Sequence, residues 1–168
     1  MNISAINSIS FNAKIDISNV EKYRYYWQEV ADNFSKKTAD KDATLKLSEH
    51  FLGMVDFAVK YPNKNLPNST VGFIACSKEV FDKLTNETPQ KVADKLSTAF
   101  EYFNDAVEER ENALFTKISN FAIKGHVSIH KAFKDINKNM IGTRDKIMTN
   151  VNYKLDNNKD LNGFQILI

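Results

Sequence analysis

The longest uninterrupted pattern in the chain runs from Pro89 to Lys124, with no further proline and no glycine before Gly125. Thr88 supplies a helix N-cap, and Pro89 suits the first helical position. Apolar residues then recur every three or four positions, apart from one skipped position at Glu111; they are Val92, Leu96, Ala99, Phe103, Val107, Leu114, Ile118 and Phe121. The pattern predicts a single helix about 55 Å long at 1.5 Å per residue.

A second seam of the same kind follows Gly125, which is a natural helix C-cap. Its apolar members are Ile129, Phe133, Ile136, Met140, Ile147, Val151 and Leu155, and Gly142-Thr143 either breaks or bends the helix. Two long helices joined by a tight glycine turn predict an antiparallel helical hairpin over about 88–124 and 128–156. The predicted fold class is therefore mainly α, a helical bundle of coiled-coil character built around this hairpin.

Three shorter helices are predicted in the first half of the chain. Ser18 and Glu21 fit a capping box, which predicts a helix from residue 18 to about residue 37. A second helix is expected from Asp40 or Asp42 to about Lys60, because its apolar residues would form one wide face. Ser77 is expected to cap a short helix that carries Val80, Phe81 and Leu84.

Minor β structure is expected at three places, residues 9–17, 71–76 and 163–168. Alternating apolar and polar residues between Ile9 and Ile17 are typical of a strand, and the chain ends in an apolar, strand-like tail. Their matching patterns suggest that 9–17 and the tail pair with each other. We predict a single domain over 1–168, with 1–17 as an extended segment and 18–168 as the helical bundle.

Charge and cysteine content exclude several classes of protein. The formal net charge of +2 gives no strong attraction to nucleic acid. The single cysteine, Cys76, permits neither an internal disulfide nor a cysteine-rich zinc site. No stretch is long and apolar enough to span a membrane, and the N-terminus lacks the basic start of a signal peptide. These features predict a soluble, cytoplasmic bacterial protein.

The N-terminal residues MNISAINSISFNA carry no charged side chain. Uncharged starts rich in serine, asparagine and isoleucine resemble the N-terminal signals of type III secreted effectors. The resemblance covers about the first dozen residues, and it implies export without a classical signal peptide as the alternative localisation.

Two histidines at helical spacing, His126 and His130, are the first candidates for a metal site. A metalloprotease motif requires glutamate directly after the first histidine, and that position holds Val127. No metal, cofactor or catalytic residues are therefore assigned, and a small-molecule ligand remains open. An enzyme would require residues distant in sequence to converge in one cleft, and the set to examine is Glu49, His50, Cys76, His126 and His130.

Charge is divided unevenly along the chain, with an acidic excess through Glu111 and a basic excess from Asn112 onward. One interpretation is a basic surface for an anionic partner, formed by Lys124, Lys131, Lys134, Lys138, Arg144 and Lys146. The favoured interpretation is pairing across the hairpin with the acidic row of Glu101, Asp105 and Glu108.

A run of four aromatic residues offers a second candidate surface. Tyr23 and Trp27 lie on a helical seam and are expected in the core. Tyr25 and Tyr26 point elsewhere, and tyrosine is favoured in the centres of protein interfaces.

These observations predict a non-enzymatic helical scaffold, adaptor or small chaperone-like protein. It would act through helix-face contacts with a protein partner or by self-association, without nucleic acid. The alternatives are an exported bacterial effector or structural component, and an amphipathic helical protein on a lipid or granule surface.

Overall fold

The computed structural model describes residues 12–49, 53–62, 70–124 and 129–168, and within the long helices it leaves the side chains of 117–133 and 135 undescribed. The elements in chain order are β1 (Lys14–Asp16), α1 (Arg24–Lys37), β2 (Thr44–Glu49), β3 (Met54–Lys60), β4 (Thr70–Ser77), α2 (Lys78–Leu84), α3 (Pro89–Lys124), α4 (Ile129–Asp156) and β5 (Phe164–Leu167). The predicted export signal and the Gly125 turn lie largely outside the described residues.

The five strands form one mixed sheet in the order β1-β2-β3-β4-β5. β1 and β2 are parallel neighbours, and α1 is the crossover between them. The remaining neighbours are antiparallel, and the long hairpin of α3 and α4 separates β4 from β5 in sequence. The protein is thus mixed α/β, and the prediction of a mainly α, coiled-coil bundle is wrong.

The helix predicted from about residue 40 to Lys60 is instead the antiparallel pair β2 and β3. Residues spaced by four share a face in a helix, but they also share a face in a strand, whose side chains alternate with a period of two. Burial within the two strands follows the shorter period: Leu45, Leu47, Val55, Phe57 and Val59 are buried, and the other residues of β2 and β3 are half-exposed or exposed. Gly53, at φ 73°, directly precedes β3.

The first helix begins later than the capping box predicted. The Ser18 backbone N–H donates to the Asp16 carboxylate at 2.9 Å, and α1 starts at Arg24. Its N-cap residue, Tyr23, has a φ of 54°, in the left-handed region. Residues 18–23 therefore form a turn between β1 and α1.

The predicted pairing of the C-terminal tail with 9–17 is also wrong. β5 pairs with β4 and β1 pairs with β2, so the two segments occupy opposite edges of the sheet. Each of the three predicted segments does contain or overlap a strand, namely β1, β4 and β5.

The core lies between one face of the sheet and the helices. Strand residues of that face, such as Phe57 and Ile74, are fully buried. From α1, Trp27 reaches Phe57 with ring centroids 6.3 Å apart. Phe103 of α3 approaches Gly72 of β4 so closely that a Cβ at residue 72 would lie 2.9 Å from the phenylalanine ring. The opposite sheet face bears half-exposed residues such as Lys46 and Lys60.

The two long helices lie where the sequence placed them, and α4 continues through Gly142 without a break. They contact the body only along part of their length. In the described chain, the last buried residue of α3 is Val107 and the first of α4 is Ile147. We call the remainder, residues 108–124 and 129–146, the arm. Its α3 portion is about 25 Å long at 1.5 Å per residue.

Candidate functional site

Cys76 is a core residue of β4 rather than a nucleophile. It is paired with Val55 on one neighbouring strand and with Phe164 on the other. Burial raises the pKa of its thiol to about 12. The nucleophilic form of cysteine is the thiolate, so this side chain is protonated and unreactive near neutral pH.

The histidines proposed for a metal site lie outside the described side chains, and so does His50. Glu49 is exposed at the end of β2, with its carboxylate 3.7 Å from the Lys78 Nζ. Among the residues that the structure describes, no three histidine, cysteine, aspartate or glutamate side chains are placed to hold a metal ion.

The burial of the four aromatic residues Tyr23, Tyr25, Tyr26 and Trp27 differs from the prediction. Trp27 is buried as expected, and its ring stacks on Phe81 with centroids 4.9 Å apart. Tyr23, expected in the core, is exposed. Tyr26 is half-buried, and its hydroxyl donates to the Leu84 carbonyl at 2.6 Å and to the Glu87 carbonyl at 3.1 Å. Tyr25, 95% exposed, is left as the most accessible of the four.

A cavity of about 330 Å³ opens beside this run. Tyr23, Trp27 and Phe81 line its aromatic side, and Lys78 lies over the Phe81 ring. The Lys78 ammonium hydrogen-bonds to the Asp82 carboxylate and also faces Glu49. The charges at this rim therefore neutralise one another, which leaves little to attract a charged ligand.

Exposed apolar residues on the arm continue the stripes that build the core. Leu114 lies seven residues after Val107, and residues seven apart share a helix face. Val107 is 3% exposed and Leu114 is 37% exposed. Likewise Ile141, 63% exposed, lies seven residues before Met148, which packs partly buried against the core. On both helices the apolar residue beside the body is packed against the core, and the residue seven positions further along the arm is exposed.

Phe115, at 73% exposure, is the largest accessible apolar side chain among those of the arm that the structure describes. Leu114, Phe115 and Ile141 come close together along the arm axis. Ala106 and Ile147 line one groove between the two helices. Leu114 is eight residues beyond Ala106 on α3, and in the antiparallel helix this level corresponds to residue 139. Ile141 is two residues from that level, about 3 Å along the axis. We call these three residues the arm stripe.

Charged side chains of both signs lie near the arm stripe, with Arg110 four residues before Leu114 on α3 and Asp145 four residues after Ile141 on α4. Glu101, Asp105 and Glu108 of the predicted acidic row are exposed on α3. Lys134, Lys138, Arg144 and Lys146 are exposed on α4, and the side chains of Lys124 and Lys131 are not among those described. Ion pairs in the described part of the chain include Lys37–Asp94 at 2.6 Å and Lys95–Glu87 at 2.5 Å, both on the body. Pairing across the hairpin stays a prediction.

Sequence reasoning found the helices of the arm but missed the arm stripe. The helical spacing predicts Leu114 as part of the core seam, which does not include Phe115 or Ile141. One available signal was length, since a helix of about 55 Å exceeds the body that a chain of 168 residues can build around it.

Comparison of the chain with protein-family models, with curated proteins and with solved structures finds no match. Of the helices in the described part of the chain, none combines the length and the apolar character needed to cross a membrane.

Proposed function

We propose that the protein is a non-enzymatic scaffold or adaptor, of the kind that includes small chaperones, whose body presents the arm to a protein partner. The observation that carries the proposal is the change along one helical stripe, from buried at Val107 to exposed at Leu114, with the exposed Phe115 next to it in sequence. Exposed large apolar side chains among charged residues are typical of protein-binding sites.

The shape of the arm indicates what kind of partner fits. Near the body the groove between the two helices is lined by residues such as Ala106 and Ile147, and an amphipathic helix buries its apolar face in such a groove through residues at i, i+3, i+4 and i+7. A partner helix would therefore cover the exposed apolar side chains of Leu114, Phe115 and Ile141.

The body supports the arm in two ways. α3 is held on one side by α1, where the rings of Phe34 and Phe100 lie 5.7 Å apart. α4 is held on the other side by the sheet edge, where Asn152 binds the backbone of Ile166. A rigid base lowers the entropy lost when the arm is ordered in a complex.

Site-specific photocrosslinking tests the proposal. A photoreactive amino acid at residue 115 or 141 in the full chain is expected to give discrete adducts in an extract of the producing cells. The matched control is the same amino acid at residue 25, which replaces Tyr25, an exposed aromatic residue of the body. Adducts from residue 25 alone, or from none of the three positions, would contradict the proposal.

A further inference from the structure

The connection from α4 to β5 contains the only asparagine–glycine pair in the sequence, Asn162-Gly163. The Phe164 N–H donates to the Leu161 carbonyl at 3.0 Å, so Asn162 and Gly163 are the two central residues of a turn. Gly163 has a φ of 91°, which a residue without a Cβ adopts at little cost. Asn162 is exposed. The turn therefore presents to water an asparagine whose following residue has no side chain.

Such a pair is chemically reactive. The backbone nitrogen of Gly163 can attack the side-chain carbonyl carbon of Asn162, because glycine has no side chain to obstruct the approach. A bond forms between the Gly163 nitrogen and the Asn162 Cγ, and the bond from Cγ to Nδ2 breaks. The side-chain nitrogen leaves as ammonia and takes the proton of the Gly163 N–H. Water then opens the cyclic imide at either of its carbonyl groups, which yields aspartate or isoaspartate.

We propose that Asn162 is a site of spontaneous chemical modification, at which conversion to isoaspartate loosens β5 from the sheet. Isoaspartate carries the main chain through the former side chain, so it adds one methylene group to the backbone between residues 162 and 163. The residues on either side of the pair, Leu161 and Phe164, are both 1% exposed. The longer connection therefore has to run between two side chains that are fixed in the core. This inference goes beyond the proposed function, because it does not involve the arm.

The surroundings of Gly163 leave little space for an additional backbone atom. A Cβ at residue 163 would lie 2.7 Å from the Val80 Cγ2 of α2. Directly after the turn, Phe164 is paired with Cys76 of β4. We expect the lengthened backbone to shift Phe164, the first residue of β5, and so to weaken its pairing with Cys76.

Incubation of the full chain at mildly alkaline pH tests the first part of the inference, because base removes the proton from the attacking nitrogen. Peptide mapping by mass spectrometry is expected to find Asn162 converted before Asn158, which lies in the same connection but is followed by Lys159. The Asn158 Oδ1 also accepts the Asp160 N–H at 3.0 Å, which restrains that side chain. Fragmentation on either side of the added methylene group distinguishes isoaspartate from aspartate.

Labelling of Cys76 with a thiol reagent measures the effect on the sheet. Protein enriched in isoaspartate at residue 162 should be labelled faster than fresh protein, because detachment of β5 opens the fold around Cys76. Asn162→Gln is the matched control, since its longer side chain would have to close a larger ring. This variant should keep its amide at residue 162 during the incubation, and its labelling rate should not change. Freshly prepared Asn162→Asp carries the charge of the ordinary product on a backbone of normal length, and it should be labelled as slowly as fresh wild type.

Three results would overturn the inference. The first is an Asn162 that stays intact in the folded protein while it is converted in the urea-denatured chain, since the fold would then protect the pair. The second is isoaspartate at residue 162 with no change in the labelling of Cys76, since β5 would then tolerate the longer backbone. The third is fresh Asn162→Asp labelled as fast as the isoaspartate form, which would assign the effect to charge. The proposed function is unaffected by each of them and stands or falls with the crosslinking from the arm.

Discussion

The side-chain amide of Asn152 makes two hydrogen bonds to the backbone of Ile166. Its Nδ2 donates to the Ile166 carbonyl at 3.1 Å, and its Oδ1 accepts the Ile166 N–H at 2.7 Å. On the other side of β5, Ile166 is paired in register with Ile74 of β4. Asn152 therefore takes the place of a further strand at the open edge of the sheet, where unpaired backbone groups invite association.

Replacing Asn152 with alanine should detach β5 from α4. We expect Asn152→Ala to lower the free energy of unfolding by about 1–3 kcal/mol, because both Ile166 backbone groups lose a partner. Amide hydrogen exchange at Ile166 should accelerate more than exchange in β3. Asn150→Ala, on an exposed position of the same helix, is the control and should change neither quantity. Unchanged exchange at Ile166 would show that the amide does not protect this edge.

The sequence predicted elements whose signals are local. Ser77 caps α2 as expected, accepting the Val80 N–H at 3.3 Å, and the bounds of α3 follow from Pro89 and the absence of any later helix breaker. The order of strands is set by contacts between residues far apart in the chain, and no local period encodes it. Neighbouring strands β4 and β5, for example, are separated by the whole hairpin.

Residues 44–60 were misread because one spacing is compatible with two structures. Leu47, Phe51 and Val55 are four apart, which suits a helix face as well as a strand face. The informative residues were Gly53 and the β-branched and aromatic members of β3, which favour strands. Leu114 is predicted as core for a related reason. Val107 and Leu114 have the same helical position, and only the extent of the sheet distinguishes their burial.

Glycine-to-alanine substitutions at two sites should change stability in opposite directions. At Gly72 an added Cβ would lie 2.2 Å from the Leu167 carbonyl oxygen. We expect Gly72→Ala to cost about 1–3 kcal/mol, since backbone must shift to admit it. Gly142 lies within α4 with no atom within 4 Å of an added Cβ, so Gly142→Ala should stabilise by up to about 1 kcal/mol. Urea denaturation measures the change in the free energy of unfolding for each variant. A Gly72→Ala protein that gained stability, as Gly142→Ala should, would contradict the packing described at β4.

The hydroxyl of Tyr26 should make stability sensitive to alkaline pH. Burial, with the nearby negative charge of Glu87, raises its pKa from 10.0 to about 12. A pKa raised in the folded state favours folding below pH 10, and this contribution is lost as pH rises from 10 through about 12. Tyr26→Phe should cost about 1 kcal/mol at neutral pH, because its bonds to Leu84 and Glu87 are lost.

The same variant should lose less stability than the wild type between pH 10 and pH 12. Buried groups that remain, such as the Cys76 thiol, would still contribute to the alkaline loss in both proteins. Denaturation curves collected at several pH values across this window provide the comparison. Parallel decline of the two proteins would mean that Tyr26 titrates as it does in the unfolded chain.

Labelling of Cys76 should report the opening of the sheet. Because the thiol is buried and its pKa is raised to about 12, reaction with a thiol reagent at neutral pH requires opening of the fold. We expect slow modification of the native protein and rapid, complete modification in denaturant. Asn152→Ala should accelerate the native reaction, because Cys76 is paired with Phe164 of β5. Rapid labelling of the untreated wild type would place the thiol at the surface.

Truncating two residues of one helical stripe should locate the end of the core. Val107→Ala removes buried methyl groups and leaves a void, which we expect to cost roughly 2 kcal/mol. Leu114→Ala deletes a larger side chain seven residues later, yet it should cost less, about 1 kcal/mol, because Leu114 is already 37% exposed and leaves less of a void. Chemical denaturation at a concentration too low for association measures the comparison. If Leu114→Ala proved as costly as Val107→Ala under those conditions, the arm would be packed within the fold of one chain and would offer no surface to a partner.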